Sequence, residues 1–420
     1  APPVERKLPP GLRCRLQIIT FQGNRMSEQA SALTSEADEP AESARSQGTG
    51  ILPSQAIREL VRAKAIQGME DVSTDQVQPA SIDLRLGSTA YRLRASFLPG
   101  SRSTVEEKIR QFGMHAIDIS EGAVLEVGCV YIVPLLEYLA LPPRVWGLAN
   151  PKSSTGRIDV LTRLVTDHTE VFDKVKEGYH GRLYAEIAPR TFSVVLRKGA
   201  KLSQLRLRRG SDSLSAAMHH RLHEEFRLVD RDLDKKGPFK GIPLTVDLQG
   251  ERTDGLLGFR ARQHADLIDV ENIGYYDPID YWEPIYAREH KHLILNPGDF
   301  YILASKEAVN VPPQYAAEMV AYDTLVGEEG LKLSGGQIRV HYAGFFDPGF
   351  GYAESGGAGS RAVLEVRSHE VPFLIEEDQV VGSLLYDKLT DVPDKLYGTR
   401  IGSSYQRQGL ALSKHFKPFD

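Results

Sequence analysis

The sequence predicts a mainly β protein made of two tandem copies of one domain, with a few short helices. Three observations carry this expectation. Part of the chain repeats itself at a fixed spacing. Short apolar or alternating runs recur between Gly, Pro and Asp, as in β-sandwiches and barrels. The composition is rich in turn formers, with 37 Gly and 24 Pro, while aromatic residues make up only 8%.

The repeat is the strongest of the three. Residues 126–143 match 296–313: Gly128 with Gly298, Tyr131-Ile132 with Tyr301-Ile302, Glu137 with Glu307, and Pro142-Pro143 with Pro312-Pro313, all at an offset of 170. Upstream, Ser81-Ile-Asp-Leu-Arg-Leu-Gly87 is aligned with Thr245-Val-Asp-Leu-Gln-Gly250. Downstream, Glu186 aligns with Glu365 at an offset of 179, so copy two should carry about nine extra residues, placed in the Gly-rich stretch 351–359.

In chain order, residues 1–50 read as a poorly ordered tail, because 28–50 are rich in Ser, Ala, Glu and Gly and lack periodicity. Met26 is a candidate start, with 1–25 an upstream extension. Copy one follows at 51–210. It opens with a helix capped by Ser54, whose apolar positions Ile57, Leu60, Val61 and Ala65 share one face. Runs at 81–87, 130–134 and 182–187 read as strands. A charged linker, 211–237, holds a helix near 213–227, with His219 and His223 expected on its solvated side. Copy two fills 238–420 and ends in a polar tail.

Bulk properties narrow the function. A 420-residue chain with 41% hydrophobic residues is an ordinary globular composition. A formal net charge of -5 disfavours nucleic acid as main partner but allows a small phosphorylated ligand held by a local basic cluster. Two cysteines, Cys14 and Cys129, cannot build a disulfide framework or a four-cysteine zinc site, and a cytoplasmic location is expected. The most apolar stretch, 123–141, is interrupted by Glu126 and Glu137, so no membrane span is predicted.

Three segments could carry chemistry. In Pro151-Lys-Ser-Ser-Thr-Gly-Arg157, two hydroxyls sit between two cations. Ser153 or Ser154 would cap a short helix with amides facing an anion, Lys152 would add a point charge, and Arg157 a fork suited to phosphate. The competing reading is a capped surface helix. In Ala343-Gly-Phe-Phe-Asp-Pro-Gly-Phe350, Asp347 either serves a turn or a ligand. Glu365 interrupts an apolar strand run and should face away from Leu364 and Val366, and Glu186 has the same character. The third segment, residues 397–409, is a frayed tail or a lid. The zinc-deaminase pattern of H-x-E with P-C-x-x-C is absent.

In this order the segments resemble the dCTP deaminase family, part of the dUTPase-like group. The residues that carry the resemblance are Ser81-Ile-Asp-Leu-Arg-Leu-Gly87, Lys152-Ser-Ser-Thr-Gly-Arg157, Ala343 to Phe350 with Glu365, and Tyr397 with Tyr405-Gln-Arg-Gln-Gly409. The resemblance implies distorted β-barrels or jelly rolls and metal-free deamination of the cytosine ring. It also implies Mg2+ accompanying the triphosphate, and a site shared between subunits, usually within a trimer. Substrates would be dCTP or dUTP.

The copies depart from that pattern in opposite ways. Copy one keeps the Ser-Ser-x-x-Arg motif but has Val171-Phe-Asp173 followed by an apparent insertion, 174–177. Copy two keeps Asp-Pro-Gly-Phe and the tail but reads Tyr322-Asp-Thr-Leu-Val-Gly-Glu-Glu at the phosphate motif. The main expectation is therefore a composite site formed by intrachain pairing. It would take Lys152, Ser153, Ser154 and Arg157 from copy one, and Asp347, Glu365, Tyr397 and Gln408 from copy two, with Phe346 or Phe350 facing the base. The rival is a copy-one site using Ser153, Arg157 and Glu186 between chains of a homo-oligomer. Two further readings stay open. One is a dUTP diphosphatase using Asp347 or Asp173, alone or combined with deamination. The other is a non-catalytic nucleotide sensor.

Overall fold

Strand pairing reproduces the repeat residue by residue. The structure is a computed structural model that describes residues 48–210, 214–233, 241–289, 291–321, 338–340, 344–353, 359–368, 371–398 and 409–419. In copy one the long strand Val130–Ala140 pairs with His180–Pro189, setting Glu186 opposite Ile132. In copy two Phe300–Val309 pairs with Ser360–Ser368, setting Glu365 opposite Ile302. The offset of 170 also holds in detail. Gly128 and Gly298 both turn at φ 75°, and the Tyr131 and Tyr301 hydroxyls accept from the backbone N–H groups of Glu126 and Asn296.

Each copy is built on two main sheets, with a small two- or three-stranded sheet beside them. In copy one a six-stranded sheet centred on Val130–Ala140 packs over a five-stranded sheet containing Val145–Pro151 and Ser203–Arg209. Copy two repeats these as five- and four-stranded sheets. A buried carboxylate marks the same point in both. Glu137 accepts from the Arg85 amide at 2.8 Å and pairs with its guanidinium; Glu307 accepts from the Thr245 amide at 2.9 Å and pairs with Arg231 from the linker. Arg85 therefore corresponds to Thr245, an offset of 160, which corrects the upstream alignment by four residues. The mismatch arose because both segments contain an apolar-Asp-Leu run.

Two more expectations are corrected. The structure contains no insertion at 174–177: Lys174–Val175 pairs with Val145–Pro151 as Phe345–Phe346 pairs with Tyr315–Ala321. Lys176 thus occupies the place of Asp347, and Asp173 that of Gly344. Asp173 has φ 63°, and its carboxylate accepts from the Leu164 amide at 2.7 Å, so it is a turn residue and not a counterpart of Asp347. On the linker, the helix Ala216–Phe226 buries His219 and His223 rather than exposing them. His219 bonds the Ser215 carbonyl through Nδ1 and accepts from the Tyr386 amide through Nε2 at 2.9 Å, a neutral ring pinned at both ends.

Residues 47–420 form a single unit, and the packing shows why. Alternate residues of the Ser360–Ser368 strand face opposite ways. Ala362, Leu364 and Val366 enter copy two's own core, while Val363 joins a cluster continuous with copy one's core. Ile302, Phe259, Trp282 and Phe300 of copy two enter the same cluster. Phe192 of copy one meets Trp282 edge-on at 5.5 Å, and Phe416 near the C-terminus packs on Tyr281 and Trp282. Burying one such ring contributes roughly 2–3 kcal/mol. No helix among the described residues is long and apolar enough to cross a membrane.

Candidate active site between the two copies

The anion motif sits on a four-residue helix, Ser153–Gly156, that follows the strand Val145–Pro151. Its cap is Lys152, not a serine, and no side chain caps it. The Lys152 amide donates to the Leu202 carbonyl at 2.8 Å, and its ammonium pairs with buried Asp83. Arg157, also buried, donates to the Ala411 carbonyl at 3.1 Å. The Ser154 carbonyl accepts from Ser413 Oγ at 2.8 Å. The segment beyond the polar tail is therefore clamped onto this helix. Between them lies a cavity of about 250 Å³ bordered by Lys152, Ser154, Thr155, Lys201, Lys414 and His415. Two larger cavities lie in copy two, away from these groups.

Copy two brings its own motif to the same place. The Gly344 amide donates to Asn150 Oδ1 at 2.8 Å, so the strand before the Asp-Pro-Gly turn is pinned to the strand before the anion motif. Asp347 lies 3.2 Å from Arg206 of copy one. Burial pushes its carboxyl up, Arg206 opposes that shift, nearby Asp83 adds to it, and Lys152 opposes it. Burial likewise lowers Lys395 and Lys414. Tyr397 donates its amide to the Pro348 carbonyl at 2.8 Å, docking the start of the tail on the turn.

Glu365 is 1% exposed and occupies the strand face that looks toward copy one. Its neighbours on that face fix the direction: Val363 packs into the shared cluster, and Arg367 pairs with Asp159 and donates to Thr191 Oγ1 at 2.8 Å. Asp159 follows Arg157 by two residues. Glu186 occupies the equivalent face in copy one, but that face is covered. Its carboxylate accepts from Arg163 Nε at 3.0 Å, Arg163 stacks on Phe172 at 3.6 Å, and the helix Val105–Phe112 and Phe97 pack over Tyr184, Ile132 and Val165.

The structure puts the anion helix, the Asp-Pro-Gly turn, the start of the tail and the Glu365 strand face at the boundary between the copies, while Gln408 lies outside the described residues. Three candidates take other places. Phe350, with Phe346, is buried in copy two's core; the rings meet at 5.1 Å, and Phe350 supports Tyr397 at 5.7 Å. Neither is positioned as a platform for a base. Asp173 belongs to its turn. Sequence reasoning missed Arg206, Asp159 and Arg367. The alternation Leu205-Arg-Leu-Arg208 in a strand was the available signal for the first.

Comparison with known proteins identifies the family. The family model "2'-deoxycytidine 5'-triphosphate deaminase (DCD) N-terminal domain" matches residues 48–211, and the corresponding C-terminal domain model matches 215–416. A "dCTP deaminase, dUMP-forming" of Halobacterium salinarum is 31% identical over 186 residues, 43% of this chain and 86% of that protein. A "dCTP deaminase" of Natronomonas pharaonis is 26% identical over 168 residues, 40% of this chain and 75% of that protein. The crystal structure of 2'-deoxycytidine 5'-triphosphate deaminase from Agrobacterium tumefaciens superposes with a TM-score of 0.75 at 52% identity, covering 81% of this chain and 99% of that one. The curated relatives thus align with about one copy's length, and the solved structure spans both. With both of its copies matched, the chain belongs to the 2'-deoxycytidine 5'-triphosphate deaminase family.

Proposed function

We propose that the chain converts dCTP and water to dUTP and ammonia at one composite site per chain. The observation that carries this reading is the direction of the Glu365 face, which lies against copy one beside the segment holding Ser153 and Arg157. Glu365 takes a proton from water as oxygen bonds to C4 of the cytosine ring. It then returns a proton to the amine, the C4–N bond breaks, and ammonia leaves. Ser153 and Arg157 orient the water and the carboxylate. Lys152 and Ser154 hold phosphate oxygens, and Asp347 accepts from a ligand hydroxyl between base and phosphates. Tyr397 and Gln408 belong to the segment that closes over the ligand.

Each copy is read as a dUTPase-like distorted barrel, and the subunit contact that forms the site in the family is here an intrachain one. Among the described residues no three His, Cys, Asp or Glu side chains cluster to hold a metal. Mg2+ enters the proposal only as a companion of the triphosphate. A second reading, deamination combined with diphosphate release, is favoured by one observation: the Halobacterium salinarum relative is named dUMP-forming.

The test is product analysis with dCTP, dUTP and CTP in the presence of Mg2+. Ammonia and dUTP from dCTP support the proposal, dUMP with diphosphate supports the second reading, and binding without turnover contradicts both. Glu365→Gln should lower ammonia release about 10²–10⁴-fold while retaining nucleotide binding.

A further inference from the structure

The buried guanidinium of Arg206 spans the boundary between the copies. It is 2% exposed. Nη1 donates to the Ala317 carbonyl at 3.0 Å, and Nη2 donates to the Phe346 carbonyl at 3.3 Å and to Asp347 Oδ1 at 3.2 Å. Its plane lies over the Phe345 ring at 4.0 Å. One copy-one side chain thus grips the strand that leads into the Asp-Pro-Gly turn, the Tyr315–Ala321 strand paired with it, the turn's carboxylate and an adjacent ring.

The duplication supplies an internal control. Strand register places Leu385 at the position of Arg206, since Arg206 lies opposite Leu148 and Leu385 opposite Glu318. The position of Asp347 is held in copy one by Lys176. The pair Arg206 and Asp347 therefore has the counterpart Leu385 and Lys176, and both members have changed together. A general need of the fold would keep the arginine in both copies, whereas this arginine occurs only where the acidic turn has to be held against the anion motif.

We infer that Arg206 is a positioning residue of the reaction, holding Asp347 and its turn in register with Lys152 so that the nucleotide is gripped from both copies. The inference rests on the proposed deaminase reading. Four charged groups act on the Asp347 carboxyl: Arg206 from the Ser203–Arg209 strand, Asp83 from the Ile82–Leu84 strand, Lys152 before the anion helix, and Lys395, whose own ammonium feels Asp347. Arg206 is the largest of the influences that keep the carboxyl ionised.

The test measures steady-state kinetics of the full chain with dCTP for Arg206→Met, Arg206→Lys, Asp347→Asn and the Arg206→Met/Asp347→Asn double variant, each first checked for folding by thermal melting. Arg206→Met should raise KM about tenfold or more with kcat little changed, and move the acid limb of kcat/KM to higher pH. Arg206→Lys should restore that limb, because it keeps the charge. The double variant should be no worse than Asp347→Asn alone. A folded Arg206→Met chain with the wild-type KM and acid limb would overturn the inference, as would additive losses in the double variant. Should Arg206→Met not fold, Arg206→Lys decides the matter, since loss of the wild-type limb despite the retained charge contradicts the role. Failure of the deaminase reading is separately visible as an absence of ammonia release by the wild-type chain.

Discussion

Glu186 and Glu365 have the same residue type, strand register and degree of burial, and differ in what covers them. Glu186 is matched to Arg163 under copy one's own helix, so its role is predicted to be structural. Glu186→Ala should cost about 1–3 kcal/mol, discounted for the part-exposed Arg163, and leave kcat for dCTP within a few-fold of wild type. Denaturant titration together with turnover checks this. His415 offers a pH test. It is buried with Nε2–H donating to the Val270 carbonyl at 3.1 Å, and burial, helped by Lys414, lowers it to about 4. The unfolded chain therefore binds the proton at higher pH than the folded one. The stability this provides is present above about 6.5 and is lost as pH falls toward 4, up to ~3 kcal/mol. His415→Gln should flatten the melting temperature over that window; an unchanged slope would assign the pH dependence to other groups. Both glutamates could be picked out in the sequence, since a carboxylate inside an apolar strand run is conspicuous. Their difference could not, because it depends on the stretches 94–112 and 262–281, which share no pattern.

At the level of elements, most strands were legible from apolar runs between turn residues, and the offset of 170 placed the long central strands correctly. Short elements were harder. Three-residue strands such as Ile82–Leu84 carry too few positions to fix register, which is why the upstream alignment slipped by four. The connection between two paired strands of each main sheet, 94–112 in copy one and 262–281 in copy two, decides the asymmetry of the molecule. In copy one it forms the helix Val105–Phe112, capped by a reciprocal Thr104–Glu107 box, and covers the Glu186 face. In copy two it forms the strand Ile268–Asp269, which joins copy one's Val194–Leu196 and places Asp269 against Arg197 at 2.7 Å. The Asp-Pro-Gly turn has its own constraint. Gly349 has φ 95°, and a Cβ there would meet Leu396 and the Tyr397 backbone at 3.0 Å. Gly349→Ala is expected to cost about 1–3 kcal/mol and to weaken dCTP binding by displacing both the turn and the tail. Chemical denaturation and KM measure the two effects; a loss of stability with an unchanged KM would separate the turn from the site.

Across the whole molecule, the duplication was legible but its geometry was not. Sequence matching says that two copies exist; which faces meet is decided by side chains at positions that look unremarkable in a line of text. Arg208 and Asp387 occupy equivalent strand positions, opposite Trp146 and Ala316, yet they pair with each other at 2.7 Å across the boundary. Contact of copy one with another copy one would set Arg206, Arg208 and Lys176 against their own kind. Contact of two copies two would set Asp347 and Asp387 together. Like charges in such a contact cost several kcal/mol, so the charges favour unlike pairing within the chain. Arg208→Asp or Asp387→Arg alone should therefore lower both the melting temperature and turnover, and the combined exchange should recover much of each; no recovery would show that the pairing is set elsewhere.

The central claim is that one chain supplies both halves of its site. It is tested most directly by co-expressing an Arg157→Met chain with a Glu365→Gln chain and measuring ammonia release from dCTP by the mixed assembly. An intrachain site predicts no activity above that of either variant alone, because every site would carry one lesion. Recovery on mixing would show that the halves meet between chains, and would contradict the account.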